Sequence, residues 1–234
     1  MGNEPPKLER TAYARILAIT AMFMVALVSM CGVPFDYSSL ARPALIPLGC
    51  LFLAPFAGRM SEGLLALGAM LAFATIYPIA MYADATFGVP YADPVLTKLD
   101  CGIGPAVYHL VKWWPPVDAV LTTIYNTVFV QTLAVVLFLA ATKRPNRLRA
   151  FVVRLMLGCL ITLVLFCFFP AEGTVTGGLP VPAGYDEILS ELARLRSSPT
   201  YLVRGVPAGL ITFPSFHTIW AVMLTAAFYG TGVF

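Results

Sequence analysis

The segment Ile211-Thr212-Phe213-Pro214-Ser215-Phe216-His217-Thr218-Ile219-Trp220 sets a serine two places before one of only two histidines in 234 residues, at the point where an apolar run begins. Proline suits the first turn of a helix, because the N–H it lacks would be unpaired there and its φ is already helical. The spacing therefore predicts Pro214 as the first helical residue. The N–H groups of Ser215, Phe216 and His217 then project from the positive end of the helix, where they form an anion site. The Ser215 hydroxyl adds a donor, and an imidazole carries a proton near neutral pH. Phosphate esters need this combination: donors on the nonbridging oxygens and an acid for the leaving alkoxide. A serine hydrolase fits less well. Residues two apart on a helix point away from each other, and no G-x-S-x-G surrounds Ser215.

These side chains need elements to hold them. The chain is 59% apolar and only 12% charged, and its mean hydropathy is +0.82, which makes the bilayer its solvent. A membrane helix needs roughly 20 mostly apolar residues. Such runs lie at Tyr13 to Val33, Ala41 to Ala57, Gly63 to Ala83, Val117 to Ala141 and Ala150 to Pro170, and Phe213 to Phe234 supplies a sixth. The expected fold is an all-α polytopic membrane bundle of about six transmembrane helices, with a short amphipathic helix in an outer loop. It forms one continuous membrane domain: residues 1–98 hold the first three helices, and 99–234 hold the rest and the site. Lys7, Arg10 and Arg15 precede the first run as in a signal peptide, but the run is as long as a membrane span and no A-x-A-like cleavage site follows it, so it reads as a retained anchor.

The net charge of +3 and the lack of basic clusters interleaved with aromatics argue against nucleic acid as a partner. Cys31, Cys50, Cys101, Cys159 and Cys167 are scattered and odd in number, which indicates neither a disulfide framework nor a zinc site. There is no internal repeat. The sequence says nothing of oligomeric state.

Lysine and arginine crowd alternate loops: Lys7 to Arg15, Arg59, and Lys143 to Arg154. The positive-inside rule makes these loops cytoplasmic, with the amino terminus inside and the Ser215/His217 segment facing the periplasm or lumen. The long outer segment from Asp84 to Pro116 contains Tyr108, Val111, Lys112, Trp113 and Trp114, which suit the head-group layer. In the second outer segment, Ile188, Leu192 and Leu195 fall at helical spacing with acids early and arginines late, which predicts an amphipathic helix over 185–196. Asp100 reads as a loop acid or helix cap. Tyr125 and Gln131 read as packing and interhelical hydrogen bonds.

Phe213-Pro214-Ser215-Phe216-His217-Thr218 resembles the second signature, P-S-x-H, of the type 2 phosphatidic acid phosphatase superfamily. The ordered set that precedes it is "LDCGIG" at Leu99 to Gly104, a helix with Tyr125 and Gln131, and "FFPAEG" at Phe168 to Gly173. It is similar to the branch containing inositol phosphorylceramide synthases, the inositolphosphotransferase type. The resemblance implies that Ser215 and the nearby backbone, Phe216 included, bind phosphate and that His217 protonates the leaving group. It implies a phospholipid or sphingolipid substrate held in the bilayer, and double displacement through a phosphohistidine, with no metal and no cofactor. The nucleophile belongs to a later R-x5-H-x3-D signature. That signature is not found before the sequence ends at Phe234, so the expectation is a chain equivalent to the amino-terminal part of such an enzyme, its activity depending on the missing segment. The first signature, K-x6-R-P, is not found either: Lys143-Arg144-Pro145 has the wrong spacing and lies on the other side.

His109 is the second histidine and lies on the outer side, but beside Trp113 and Trp114 it reads as interfacial rather than as the nucleophile. Arg204, in the loop before the segment, suits phosphate recognition and equally suits a solvated position against lipid head groups. Two other classes remain open. One is a noncatalytic membrane protein that binds a head group or anion at the helix end; the other is a small transporter, weakened because the charges sit in loops rather than mid-membrane.

Overall fold

A computed structural model describes residues 11–32, 34–36, 38–173, 185–198 and 209–229. The described residues are helical and contain no strand: α1 (Thr11–Cys31), α2 (Ser38–Leu53), α3 (Ser61–Ala85), α4 (Asp93–Asp100), α5 (Ile103–Trp113), α6 (Pro115–Asn126), α7 (Val128–Ala141), α8 (Pro145–Phe168), α9 (Tyr185–Ser197) and α10 (Phe216–Phe228). Two single 3-10 turns, Ala54–Phe56 and Gly58–Met60, join α2 to α3.

Helix α3 is the central post. It packs against α1 and α2 and against α7 and α8. Its buried positions are largely small, with Ala66, Ala69, Ala80 and Ala83 almost fully covered. Small residues let membrane helices approach closely where no hydrophobic effect drives them together. Helix α10 rests on α8 and α7. Large apolar side chains such as Met22, Leu48, Phe52, Leu137, Ile161 and Val222 point outward, which in a bilayer is the favourable direction.

Three helices, α1, α3 and α8, are long and apolar enough to cross a membrane, and the bent pair α6 and α7 counts as a fourth. Helices α2 and α10 are apolar but shorter. Thirteen residues of α10 rise only about 20 Å of the 30 Å a span requires; the residues after Tyr229 that would extend it lie outside the described set. Six spans are therefore expected from the sequence, and three to four are seen by length and composition.

The span expected over Val117 to Ala141 is broken. Its halves meet at Thr127 with a bend of 59°. Threonine hydroxyls that bond back to carbonyls four residues earlier bend helices, and two do so here: Thr123 Oγ1 donates to Ala119 O (2.8 Å) and Thr127 Oγ1 to Thr123 O (2.7 Å). At the break Gln131 Nε2 donates to Ile124 O (2.7 Å) and to Thr127 Oγ1 (3.0 Å). Gln131 thus bridges α6 to α7 across the bend and satisfies a carbonyl freed there.

At one end of the bundle the basic loops gather. Arg149 holds Glu62 in a two-point ion pair, Nε to Oε2 at 3.0 Å and Nη2 to Oε1 at 2.7 Å, which ties the start of α8 to the start of α3. Arg147 Nη1 donates to Tyr229 O at 2.6 Å and brings the far end of α10 to the same place. The opposite end holds α4, α9 and the segments 169–173 and 209–215.

Candidate functional site at the start of α10

At that opposite end, α10 begins two residues later than expected, at Phe216 rather than Pro214. Ser215 is the N-cap, with extended backbone (φ −66°, ψ 115°), and its Oγ accepts the Thr218 N–H at 3.3 Å. Pro214 therefore precedes the cap, after a cis Phe213–Pro214 peptide, and is not the first helical residue. Serine is among the best N-caps, and its side chain pairs an orphan donor of the first turn, which proline cannot do. The correction removes one donor from the expected set and keeps the others. The N–H groups of Phe216 and His217, the first two positions of α10, make no hydrogen bond with described residues. The Ser215 hydroxyl, accepting from Thr218, retains its own proton to donate. No acid lies in the first turn to neutralise the positive helix end.

Successive faces of α10 divide the work. Trp220, Leu224 and Ala227 are buried. Trp220 Nε1 donates to Thr132 Oγ1 of α7 at 2.6 Å, and its ring meets Phe129 and Phe216 edge-on with centroids 4.9 and 4.7 Å apart. Phe216 continues the row beside Tyr77, whose hydroxyl shares a 3.0 Å hydrogen bond with Thr162. His217 turns away from this core. Its imidazole stacks on the Tyr125 ring of α6, centroids 3.8 Å apart and planes 18° apart. Ser215 is exposed and His217 half-buried.

Close packing fixes the height of α10. A Cβ added at Gly158 of α8 would lie 2.6 Å from Ile219 Cγ2, so only glycine allows the two helices to meet there. The isoleucine methyl sits on a branched, stiff Cβ and cannot swing aside.

The segment leading into Ser215 is clasped to the rest of this end through 170–173. Asp93, at the first position of α4 and buried, accepts the N–H groups of Glu172 and Gly173, each at 2.8 Å, and Ala92 N–H donates to Pro170 O at 2.7 Å. Thr212 Oγ1 donates to Ala171 O, and Tyr185 Oη, at the start of α9, donates to Glu172 O. Burial pushes the Tyr185 phenol up, Asp93 and Glu172 adding to the rise, so it remains a neutral donor. Gly173 has φ +90°, and a Cβ there would lie 2.8 Å from Tyr185 Oη. Backbone conformation and space both require glycine at this point. Leu210 N–H donates to Met81 Sδ of α3 at 3.3 Å. Helix α9 presses Leu192 and Leu195 into the core, with Ile188 beside them, as its spacing predicts.

The other residues singled out in the sequence fall as follows. Asp100 accepts the Gly104 N–H with both oxygens, at 3.0 and 2.9 Å, and closes the turn in which Cys101 (φ 51°) and Gly102 (φ 80°) reverse the chain between α4 and α5. His109 lies exposed on α5, edge-on to Tyr108; the ring partners of His217 are Tyr125 and Phe216. Arg204 lies outside the described residues. Among the described residues no group of three or more His, Cys, Asp or Glu side chains could hold a metal ion. Sequence reasoning gave Tyr125 a packing role and missed its position against His217; it also missed the clasp by Asp93, Tyr185 and Thr212. The only local signal for Asp93 was an acid directly before Pro94 at a helix start.

Apolar helices that leave their apolar faces outward, joined at one end around a polar helix start, define an integral membrane protein of all-helical build. The family model of the PAP2 superfamily matches residues 97–232, more than half of the chain, and the chain belongs to that superfamily. No curated protein and no solved structure matches it. The matched span begins just before Asp100 and takes in Tyr125, Gln131, 170–173, Ser215 and His217.

Proposed function

We propose that the start of α10 is the phosphate site of a lipid phosphatase or phospho-head-group transferase, of the inositolphosphotransferase type, facing the periplasm or lumen. What supports this reading is a helix start with three donors that have no acceptor among the described residues, Ser215 Oγ–H and the N–H groups of Phe216 and His217, on the same turn as the His217 imidazole and within the segment matched by the family model. Three donors fixed at a positive helix end stabilise charge on the nonbridging oxygens without reorganising during reaction. His217 delivers its proton to the alkoxide oxygen as the P–O bond breaks. Arg204 adds a bidentate donor to the phosphate. The substrate is a phospholipid or sphingolipid, presented from the bilayer that surrounds the bundle. The attacking group in this reading is a histidine of an R-x5-H-x3-D segment, which residues 1–234 do not contain, and His109, placed on α5 against Tyr108, does not substitute for it.

The test is turnover of phosphatidic acid, and head-group transfer to ceramide, by the protein in detergent, with and without His217→Ala. In protein that includes the nucleophile-bearing segment, turnover abolished by His217→Ala and weakened by Ser215→Ala is the expected result. A second reading is a noncatalytic membrane protein that binds a head-group phosphate at the same helix start, whose unpaired donors hold an anion without any nucleophile. Orthovanadate binding to the wild type without any turnover would select that reading for this chain and exclude the catalytic one.

A further inference from the structure

At the end of the bundle away from Ser215, Arg154 of α8 faces the second half of α10, beyond the contact of Gly158 with Ile219. The two helices leave a groove of about 570 Å³, lined by Arg154, Ala221, Val222, Thr225, Ala226 and Tyr229. Its α10 wall is apolar and small, and the one hydroxyl on it is already used, Thr225 Oγ1 donating to Ala221 O at 2.9 Å. Arg154 is the one charged residue lining it. The neighbouring arginines of this end have partners, Arg149 on Glu62 and Arg147 on the Tyr229 carbonyl. Arg154 makes no hydrogen bond or ion pair with any described residue. It is the tenth residue of a 24-residue apolar helix, which places its Cα about 14 Å along the axis from the start of α8. A cation at that depth is costly unless it reaches the head-group layer or an anion comes to it.

We propose that this groove is a binding site for an anionic phospholipid of the leaflet at the basic end. Arg154 grips the phosphate, the Ala221, Val222 and Ala226 wall receives the upper acyl chain, and Tyr229 stands at the mouth. Three features fit that occupant. Arginine presents a planar fork of donors that matches a phosphate two bonds at a time. Basic pockets between helices on this side of a membrane protein recognise phospholipid head groups. Tyr229 is 83% exposed, and an amphipathic ring there suits the interface between acyl chains and head groups. This site is separate from the start of α10 and from the chemistry proposed there, so its failure leaves that reading untouched.

The test is native mass spectrometry of the protein released from nanodiscs of equal parts phosphatidylglycerol and phosphatidylcholine. The wild type is expected to retain one phosphatidylglycerol in preference to phosphatidylcholine. Arg154→Gln should lower that retention about fivefold, the order expected for one basic residue at a membrane surface, while Arg154→Lys keeps part of it and Arg144→Gln, a charge removed from the same end, leaves it unchanged. Circular dichroism checks that each variant is folded. Equal retention by Arg154→Gln and wild type, or no preference between the two lipids, overturns the proposal and leaves Arg154 as a side chain that snorkels alone. Displacement of the bound lipid by soluble glycerol 3-phosphate would equally overturn it, in favour of a site for a free phosphate.

Discussion

Helices α10 and α6 face each other across His217, and they are held very differently. The first turns of α10 are fixed by the Ser215 cap, by the Trp220 bond to Thr132, by the Gly158 contact, and by the clasp of 212 to 171 and of 172 and 173 to Asp93. Helix α6 has no buried residue. Val120, Leu121, Ile124 and Tyr125 are exposed by 46 to 58%, and what holds its angle is the Gln131 amide at the bend, with an exposed Lys112–Asp118 ion pair at its other end. In the proposed function only the α10 wall carries groups that would have to meet a phosphate to within a fraction of an ångström. The α6 wall supplies one ring, against which the imidazole lies, and a face open to lipid. On that proposal the rigid wall is the one that must not move, and the loose wall is the side left open to an approaching lipid.

The contrast predicts a ranking of damage. Asp93→Ala should do the most harm although Asp93 touches no part of α10. It strips two part-buried N–H groups of their acceptor, at up to roughly 1–3 kcal/mol each were they fully buried, and frees 170–173, and with it Thr212 and the approach to Ser215. Hydrogen exchange at Glu172 and Gly173 should rise together with exchange at Thr218; unchanged exchange at Thr218 would show that the clasp and the cap are independent. Gly158→Leu comes next, since overpacking typically costs about 1–3 kcal/mol. The side chain must displace α10 at Ile219, and orthovanadate binding at Ser215 should weaken in step with the melting temperature. Full binding in a folded Gly158→Leu protein would mean that the height of α10 does not matter. Trp220→Phe keeps the edge-on packing and removes one donor, a net loss of about 1 kcal/mol, read as a small drop in melting temperature that Thr132→Val should not deepen when the two are combined.

How much of this was legible in the sequence follows from the range of each interaction. Apolar runs and the amphipathic pattern of α9 are local and periodic, so α1, α3 and α9 lie within two residues of the expected bounds, as Asp100 lies at its turn, whereas α8 starts five residues before the expected Ala150. The helix start was placed too early because Pro214 and Ser215 both carry start signals, and the hydroxyl, which pairs with Thr218, decides between them. The run from Val117 to Ala141 is more polar in α6 than in α7, but composition does not locate the break at Thr127: it depends on which carbonyls the Thr123, Thr127 and Gln131 side chains reach, a matter of three dimensions. Asp93 with 172 and 173, Trp220 with Thr132 and Gly158 with Ile219 join residues 61 to 88 positions apart, and no spacing rule connects such pairs. The family resemblance named Ser215 and His217; it did not name what holds them.

Tyr125 is the sharpest place to test the looser wall, and the smallest effect on stability is expected there. The ring is half exposed, so Tyr125→Leu should cost at most about 1 kcal/mol, the usual worth of one aromatic pair. What it should change is the imidazole. With His109→Gln in the background, His217 supplies the only histidine signals in the spectrum, and a ring stacked at 3.8 Å must shift its carbon-bound protons upfield. Tyr125→Phe keeps the stack and should keep the shift; Tyr125→Leu should abolish it and let the imidazole sample several orientations, with weaker coupling between orthovanadate binding and His217 protonation. Catalytically, the loss should appear with substrates whose leaving alkoxide needs a proton and shrink with an aryl phosphate that does not. If Tyr125→Leu leaves the His217 signals where they were, the stack is not populated in the bilayer and α6 contributes only a lipid-facing surface; if it moves the signals and leaves anion coupling intact, the imidazole is oriented from the α10 side alone, and the division of labour between the two walls is even more one-sided than the packing suggests.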